Sequence, residues 1–249
     1  MKFKGKTAVL TGAGSGVGHG YALGLCADGA RVLGIGRTRA DLEVTARACA
    51  GGRMDFIVGD VSRPEDVARL LAKARQDFGE IDFLINNAAV YPRQAFLDAS
   101  VQAWMDAIAV NLHGVALCCH AFLPAMLERG SGRVVNIGTY AWMRPIPGSA
   151  SYSASKGAVR AFTRALASEI DPQRYPDVLV NELVPGMVRT RMSEQGESPE
   201  EVYVHLQRLL SASRGGPHGQ TFAQSTMEVE TPGLRTRIKR ALRRLAGWE

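Results

Sequence analysis

A phenol and an amine lie four positions apart in the segment Tyr152-Ser153-Ala154-Ser155-Lys156. On a helix, this spacing places the two side chains on one face, about one turn apart. An ammonium group beside a phenol favours the phenolate and lowers the tyrosine pKa from its ordinary value of about 10. Such a tyrosine can exchange a proton with an alcohol or carbonyl oxygen. The same spacing also occurs between neighbours on ordinary helix surfaces, so other parts of the chain must support this chemistry.

A glycine-rich segment follows the first apolar run. The run Thr7 to Leu10 is predicted to be a strand, and Val17 to Ala27 has the periodicity of a helix. Between them lies Thr11-Gly12-Ala13-Gly14-Ser15-Gly16-Val17-Gly18, whose glycines do not follow the strict G-x-G-x-x-G spacing. The N–H groups of such a turn, with the start of the helix, can bind a pyrophosphate. The alternative is a glycine-rich turn that binds no ligand.

The second predicted strand, Arg31 to Ile35, ends in arginines rather than in an acid, with the residues Gly36-Arg37-Thr38-Arg39. An acid at this position would bind the ribose hydroxyls of NAD. Arg37, with Arg39 as a second candidate, suits a 2′-phosphate instead, because a guanidinium matches the geometry of a phosphate. We therefore predict NADP(H) in preference to NAD(H). The alternative is a solvated pair of arginines at the start of a helix.

Apolar strands alternate with longer helical patterns up to about residue 190. Further strands are predicted at Asp55–Val58, Phe83–Ile85, Arg133–Ile137 and Val178–Leu183, and further helices at Asp41–Ala50, Val101–Leu127 and Tyr152–Ile170. Ser62 and Glu65 are predicted to form a capping box at the start of another helix. Strands that are apolar on both faces are typical of a parallel sheet. The pattern predicts an α/β fold with one doubly wound, Rossmann-type parallel sheet in three layers.

Ligands of such a sheet bind at the carboxyl ends of its strands. The residues that fall at these predicted ends are Gly12, Arg37, Asp60, Asn87, Thr139 and Pro185. Their shared edge favours a functional interpretation of each.

Taken in order, these motifs resemble the short-chain dehydrogenase/reductase family. The family's Thr-Gly-x-x-x-Gly-x-Gly motif matches residues 11–18, and its Asn-Asn-Ala-Gly motif matches residues 86–89, with Ala89 in place of glycine. Its Tyr-x-x-x-Lys and Pro-Gly-x-x-x-Thr motifs match residues 152–156 and 185–190. The resemblance implies an NADP-dependent oxidoreductase that interconverts a carbonyl and a secondary alcohol. It also implies a homodimer or homotetramer.

The resemblance implies a catalytic set of Asn111, Thr139, Tyr152 and Lys156. Asn111 would hold a water relay, Tyr152 would be the acid/base, and Lys156 would bind the nicotinamide ribose and lower the pKa of the tyrosine. Thr139 stands where the family has serine, and its hydroxyl can still polarise a carbonyl oxygen. Within the cofactor site, Asp60 and Val61 would contact adenine, and Val188 and Thr190 the nicotinamide amide. The full implied cofactor site is Gly12, Ser15, Gly16, Val17, Gly18, Arg37, Asp60, Val61, Asn87, Ala88, Ala89, Tyr152, Lys156, Pro185, Gly186, Val188 and Thr190.

Composition excludes several other classes of protein. The chain has 249 residues, which suits a single domain over 1–249, and its apolar fraction of 46% is that of a globular protein. Four cysteines show neither a Cys-x-x-Cys nor a metal-ligand spacing, so we expect buried thiols and no metal. The start of the chain lacks the features of a signal peptide, and the apolar segment Ala107–Leu127 contains Asn111 and Pro124, which favours a buried helix. A cytoplasmic location follows by default.

The last part of the chain departs from the family. The loop at about 190–213 is predicted to set the substrate, which the sequence does not identify, and the basic tail at about 227–249 has no match. Leu234 to Ala246 is predicted to be a basic amphipathic helix. It would pack on its own domain or on a subunit partner, with a membrane-surface contact by 235–245 as the alternative; no nucleic acid is expected. The alternative function is a nucleotide-binding regulatory protein with weak or no catalysis, motivated by Thr139 and the altered tail.

Overall fold

Eight strands form one sheet in the computed structural model, which describes residues 1–228. They are β1 (Thr7–Thr11), β2 (Arg31–Gly36), β3 (Met54–Val58), β4 (Phe83–Asn86), β5 (Ser131–Ile137), β6 (Asp177–Val184), β7 (Thr221–Ala223) and β8 (Thr226–Met227). The strand order is β3-β2-β1-β4-β5-β6-β7-β8, and only the β7–β8 pair within these residues is antiparallel. The chain reverses its direction of winding between β1 and β4, which in such sheets is the point where ligands bind.

Helices follow most of the strands. They are α1 (Gly16–Ala27), α2 (Arg39–Ala48), α3 (Pro64–Lys73), α4 (Val101–Ile108), α5 (Gly114–Arg129), α6 (Ala150–Ser168) and α7 (Tyr203–Leu210). A π-helical turn, Ala109–His113, joins α4 to α5, so the long helix predicted from Val101 is continuous but contains one wider turn. The basic helix predicted at Leu234–Ala246 lies outside the described residues.

The sheet separates two hydrophobic cores, which gives the three predicted layers. Along β1, Leu10 packs with α1, α2 and α7, whereas Val9 packs with α3, α5 and α6 on the opposite face. This alternation follows from the two-residue period of a strand, and it requires apolar residues at successive positions. The fold is therefore the predicted doubly wound α/β sheet.

The long apolar helix belongs to the second core. Val101–Arg129 is the one helix within residues 1–228 that is long and apolar enough to cross a membrane. Cys118, Cys119 and Phe122 on this helix are buried against the sheet and its neighbouring helices. Length and composition are weak indications here, because a core helix meets the same criteria.

The predicted capping box at Ser62 is wrong. The N-cap of α3 is Arg63, with Pro64 as the first helical residue, and no side chain caps this helix. Ser62 instead donates its hydroxyl to Asp60 Oδ1 at 2.8 Å, and Asp66 Oδ2 accepts the backbone N–H of Asp60 at 2.7 Å. Two aspartates therefore organise the turn after β3, because each offers a stronger acceptor than a serine hydroxyl.

The predicted loop at about 190–213 is irregular only up to α7 (Tyr203–Leu210), and backbone hydrogen bonds fold its first part over the carboxyl edge of the sheet. Arg189 N donates to Glu197 O at 2.8 Å, and Thr190 N donates to Ser193 O at 2.7 Å. The loop leads into α7, which packs on α1. The last strands, β7 and β8, form a hairpin that continues the sheet beyond β6.

Candidate active site

A cleft of about 1180 Å³ runs along the carboxyl edge of the sheet. It crosses the ends of β2, β1, β4, β5 and β6, where the sequence predicts the functional residues. Of the predicted site residues, the cleft brings together Gly12, Ser15, Gly16, Val17, Arg37, Asp60, Val61, Asn87, Ala88, Ala89, Thr139, Tyr152, Lys156, Pro185, Gly186, Val188 and Thr190. Gly18 and Asn111 lie behind this lining.

The glycines after β1 allow strand and helix to approach closely. Gly12 has a positive φ of 67°, and a Cβ there would lie 2.9 Å from Ala88 Cα. A Cβ at Gly18 would overlap the carbonyl oxygen of Gly12. Gly18 therefore serves the packing of α1 against the turn, while Gly12, Gly14 and Gly16 border the cleft.

The start of α1 suits an anion. Ser15 is the N-cap, but its side chain makes no hydrogen bond to the helix. The first N–H groups of α1 therefore receive no acceptor from Ser15. These groups carry partial positive charge and bind phosphate in many α/β proteins. A Cβ at Gly16 would lie 3.2 Å from Thr190 Cγ2, so any side chain here would narrow the space. The residues therefore fit the pyrophosphate of a dinucleotide.

Arg37 lies at the end of the cleft beyond β2. Its side chain is 62% exposed, and Nη1 lies 4.0 Å from Asp60 Oδ2, at the limit of an ion pair. Most of the guanidinium is therefore available to a ligand. Arg39, the second candidate, pairs with Glu43 at 3.7 Å and does not line the cleft.

The Asn-Asn-Ala-Ala segment joins the ends of β4 and β1. Thr11 Oγ1 accepts the N–H groups of Asn87 and Ala88, both at 2.9 Å, and Asn87 Nδ2 donates to Thr11 O at 3.0 Å. Within residues 1–228, Gln224 is the one non-glycine residue with a positive φ. Ala89 therefore occupies an ordinary backbone conformation, which explains why alanine can replace the glycine of the family motif.

Asn111 lies in the π-helical turn, fully buried. Its Oδ1 accepts the N–H of Val90 at 2.7 Å, and its Nδ2 donates to Val90 O at 2.9 Å and to Ser155 Oγ at 3.0 Å. The wider turn places this amide between the segment after β4 and helix α6. Asn111 thus ties the cleft wall to the helix that carries Tyr152 and Lys156.

Thr139 and Tyr152 face each other across the cleft. Thr139 is the N-cap of the short 3₁₀ helix Tyr140–Trp142, and its Oγ1 accepts the N–H of Ala141 at 3.3 Å. A hydrogen bond between the Thr139 and Tyr152 side chains favours the phenolate, but burial has the larger effect and raises the pKa of Tyr152. The sequence predicts the opposite direction, because it assumes that the Lys156 ammonium lies beside the phenol.

Lys156 is directed elsewhere in this structure. It is buried, and its Nζ donates to the carbonyl oxygen of Ile137, at the end of β5, at 2.7 Å. Burial lowers the pKa of Lys156 to about 8, and the charge of Glu182 opposes this shift. The lysine is therefore close to losing its proton at mildly alkaline pH, a property that often marks functional groups.

Three residues of this region were not predicted. The Tyr91 ring stacks on that of Tyr152, with centroids 4.5 Å apart. Arg191 forms a two-pronged ion pair with Asp41, at 2.9 and 3.1 Å, across the cleft. Glu182 is a buried carboxylate in β6. The signal for Glu182 was present, because a charged residue interrupts the apolar run Val178 to Val184.

Trp142 does not line the cleft; it packs against α6, where the Arg160 guanidinium lies 4.8 Å above its ring. The four cysteines are free and buried, as predicted. Among residues 1–228, no group of three or more histidine, cysteine, aspartate or glutamate side chains is placed to hold a metal ion.

Comparisons with known proteins agree with this geometry. The family model described as short chain dehydrogenase matches residues 6–201. A 3-oxoacyl-[acyl-carrier-protein] reductase of Synechocystis is 35% identical over 76% of each chain. The short-chain reductase protein NovJ of Streptomyces niveus is 37% identical over 76% of this chain and 71% of its own length.

An uncharacterized oxidoreductase of Staphylococcus saprophyticus is 34% identical over 78% of this chain and 82% of its own. Among solved structures, a variant of actinorhodin polyketide ketoreductase with NADPH superimposes with a TM-score of 0.82 and 28% identity, over 89% of this chain and 96% of that one. The chain therefore belongs to the short-chain dehydrogenase/reductase family and is an NAD(P)-dependent oxidoreductase.

Proposed function

We propose that the protein interconverts a carbonyl and a secondary alcohol with NADP(H), with Tyr152 as the acid/base. The observation that carries this proposal is that the hydroxyl-bearing side chains of Thr139 and Tyr152 line the cleft together with Lys156, at the end of β5. When bound, NADPH supplies the hydride. Thr139 and Tyr152 would donate hydrogen bonds to the carbonyl oxygen, and Tyr152 would give its proton to the alkoxide that forms.

Lys156 and the glycine-rich turn would position the cofactor. The N–H groups at the start of α1 would bind the pyrophosphate, and Lys156, now bound to Ile137 O, would donate to the ribose hydroxyls. With its charge beside the phenol, Lys156 would then lower the pKa of Tyr152 from its raised value. Arg37 would bind the 2′-phosphate.

The entrance next to Tyr152 indicates an apolar substrate. Ile146, Met187 and Met192 line the cleft and are at least 38% exposed. Exposed apolar side chains around a cleft mark a binding surface for apolar groups. The two relatives named as reductases of an acyl chain and of a polyketide also suit a carbonyl on an apolar body.

Replacement of Tyr152 tests the acid/base role. Tyr152→Phe should abolish NADPH-dependent reduction of apolar ketones and 3-oxoacyl thioesters, because the proton donor is lost. NADPH binding should change little, because the ring remains. The matched control is Tyr91→Phe, which removes a hydroxyl from the stacked ring and should keep turnover. Near-normal turnover in Tyr152→Phe would overturn the mechanism, and NADPH binding by a wild type inactive on every substrate would favour the regulatory alternative.

Replacement of Arg37 tests the cofactor preference. NADPH should bind the wild type more tightly than NADH, and Arg37→Ala should lose about tenfold or more in NADPH affinity alone, since a charge-assisted hydrogen bond contributes about 1–3 kcal/mol. Arg39→Ala removes the same charge two residues away, where Arg39 pairs with Glu43, and should have little effect. Equal affinity of the wild type for the two cofactors would contradict the preference.

A further inference from the structure

A buried carboxylate lies behind the cleft, close to Lys156. Glu182 in β6 is fully buried. Its Oε2 accepts a hydrogen bond from Thr221 Oγ1 at 2.7 Å, whereas its Oε1 has no hydrogen-bond partner among the described residues. An ionised carboxylate without water is costly unless cations or donors compensate for the lost hydration. The cations that face Glu182 therefore determine what it does.

The charges of two cations on one face of α6 act on Glu182. Arg160 Nη1 lies 3.9 Å from Glu182 Oε2. Lys156 lies one helical turn before Arg160, and its charge also acts on Glu182. Burial, the largest influence, raises the pKa of Glu182, whereas the Thr221 hydrogen bond and the charges of Arg160 and Lys156 lower it.

A second carboxylate competes for Arg160. Glu228, directly after β8, accepts a hydrogen bond from Arg160 Nη1 at 2.7 Å, much closer than the 3.9 Å between Arg160 and Glu182. Burial and then the neighbouring Glu228 carboxylate raise the pKa of Tyr140, which places this tyrosine beside the same acid. Arg160 therefore compensates Glu182 only in part, and Lys156 is the other cation that faces it.

The carboxylate also supports the strand end that holds Lys156. The lysine donates to Ile137 O, and the next residue, Gly138, has no room for a side chain, because a Cβ there would overlap Glu182 Oε1. Gly138 in turn precedes Thr139. Glu182 thus lies directly behind both the acceptor of the lysine and the hydroxyl that faces Tyr152.

We propose that Glu182 is a positioning residue of the cofactor site, whose buried negative charge keeps Lys156 in its ammonium form beside the cofactor ribose. This inference rests on the function proposed above, because it concerns the donor that Lys156 offers there. Burial alone drives Lys156 towards the neutral amine, and a neutral amine would neither bind the ribose as strongly nor favour the Tyr152 phenolate. Glu182 opposes that loss from within the protein, where water does not screen its charge.

The pH dependence of NADPH binding tests this role. In the wild type, affinity should fall as the pH rises above about 8, where Lys156 loses its proton. In Glu182→Gln, the fall should begin about one pH unit lower, because loss of a neighbouring opposite charge shifts a pKa by about that amount or more. Glu182→Asp keeps the charge and should return the profile towards that of the wild type. A ¹³C NMR titration of the Lys156 side chain should give a lower Lys156 pKa in Glu182→Gln than in Glu182→Asp or the wild type.

Two further variants separate charge from structure. Asp177→Asn removes a carboxylate from the opposite end of the same strand, where Asp177 pairs with Arg133 at 2.6 Å, and it should leave the profile unchanged. If Glu182→Gln does not fold, Thr221→Val replaces it: the lost hydrogen bond raises the pKa of Glu182, less of its negative charge then acts on Lys156, and the profile should shift in the same direction but less. An unchanged profile in Glu182→Gln, or in its replacement, would overturn the inference, whereas a wild type that binds no NADPH at any pH would overturn the proposed function itself.

Discussion

The side chains around Tyr152 favour the protonated phenol. Burial raises the pKa of Tyr152, and the Thr139 hydrogen bond only partly offsets this effect. The ammonium of Lys156 donates to Ile137 O instead of acting on the phenol. A ribose that attracts Lys156 away from Ile137 would bring the positive charge closer to Tyr152. The position of the Lys156 ammonium therefore determines how readily Tyr152 gives up its proton.

Thr139 offers a clear test at the residue scale. Thr139→Ser should retain turnover, because the hydroxyl remains, whereas Thr139→Val should lose about 10²–10³-fold, the usual effect of deleting one donor to a developing oxyanion. Valine keeps the shape of threonine, so NADPH affinity should change little, and the lost contact with Ala141 N affects one short turn only. Steady-state kinetics and NADPH titration measure both effects. Full turnover in Thr139→Val would remove Thr139 from the proposed catalytic set.

At the scale of elements, the loop after β6 and helix α2 meet across the cleft. Arg191 contacts both carboxylate oxygens of Asp41. Asp41 itself lies against Gly14, because a Cβ added at Gly14 would be 3.0 Å from the Asp41 Cβ. On the same loop, Thr190 lies over Gly16. The ion pair therefore spans the glycine-rich turn, above the place proposed for the pyrophosphate.

Removing this ion pair should speed release of the cofactor. Arg191→Gln should raise the NADPH dissociation rate about two- to fivefold, a modest effect because the arginine is 77% exposed and such pairs are weak. For the same reason, added salt should raise the wild-type rate by a larger factor than that of the variant. Stopped-flow displacement measures both. Arg189→Gln makes the same charge change on this loop, outside the cleft lining, and serves as the control; equal rates in all three proteins would contradict the prediction.

The elements were predicted from the sequence as far as apolar periodicity defines them. The strands that are buried on both faces and the residues at their carboxyl ends were found, because continuous apolar runs mark both. The cap of α3 was missed, since Asp60 and Asp66 compete for the groups that Ser62 would bind. The direction of the Lys156 side chain could not be predicted either, because the spacing from Tyr152 fixes a helix face but not which acceptor the amine chooses. Glu182 was visible as a charge in a strand, but its partners come from distant parts of the chain.

At the scale of the whole molecule, the two cores on either side of the sheet allow the protein to bury charge. Leu183 next to Glu182 faces the core of α1, α2 and α7, and Val180 faces the other core. The Glu182 carboxylate meets Lys156 and Arg160 from α6 and Thr221 from β7, so three elements must be assembled before the charges can compensate one another. The free energy that packing provides therefore maintains an electrostatic arrangement that would not form in the unfolded chain.

This arrangement should make the stability of the protein depend on pH in a definite direction. Burial lowers the pKa of Lys156 from 10.5 to about 8 in the folded protein. Between these values the unfolded chain keeps a proton that the folded protein has released, so the free energy of unfolding due to Lys156 should rise with pH across this window. The effect should not exceed about 3.5 kcal/mol, since one pKa unit corresponds to about 1.36 kcal/mol. Urea unfolding of the wild type and of Lys156→Met measures it as the difference between the two pH profiles. Lys73, whose pKa is raised by hydrogen bonds with Asp55 and Asp77, keeps its proton in both states up to about pH 9.5, so Lys73→Met should run parallel to the wild type over that part of the window. A Lys156→Met profile that also runs parallel to the wild type between pH 8 and 10.5 would show that the buried lysine does not titrate there.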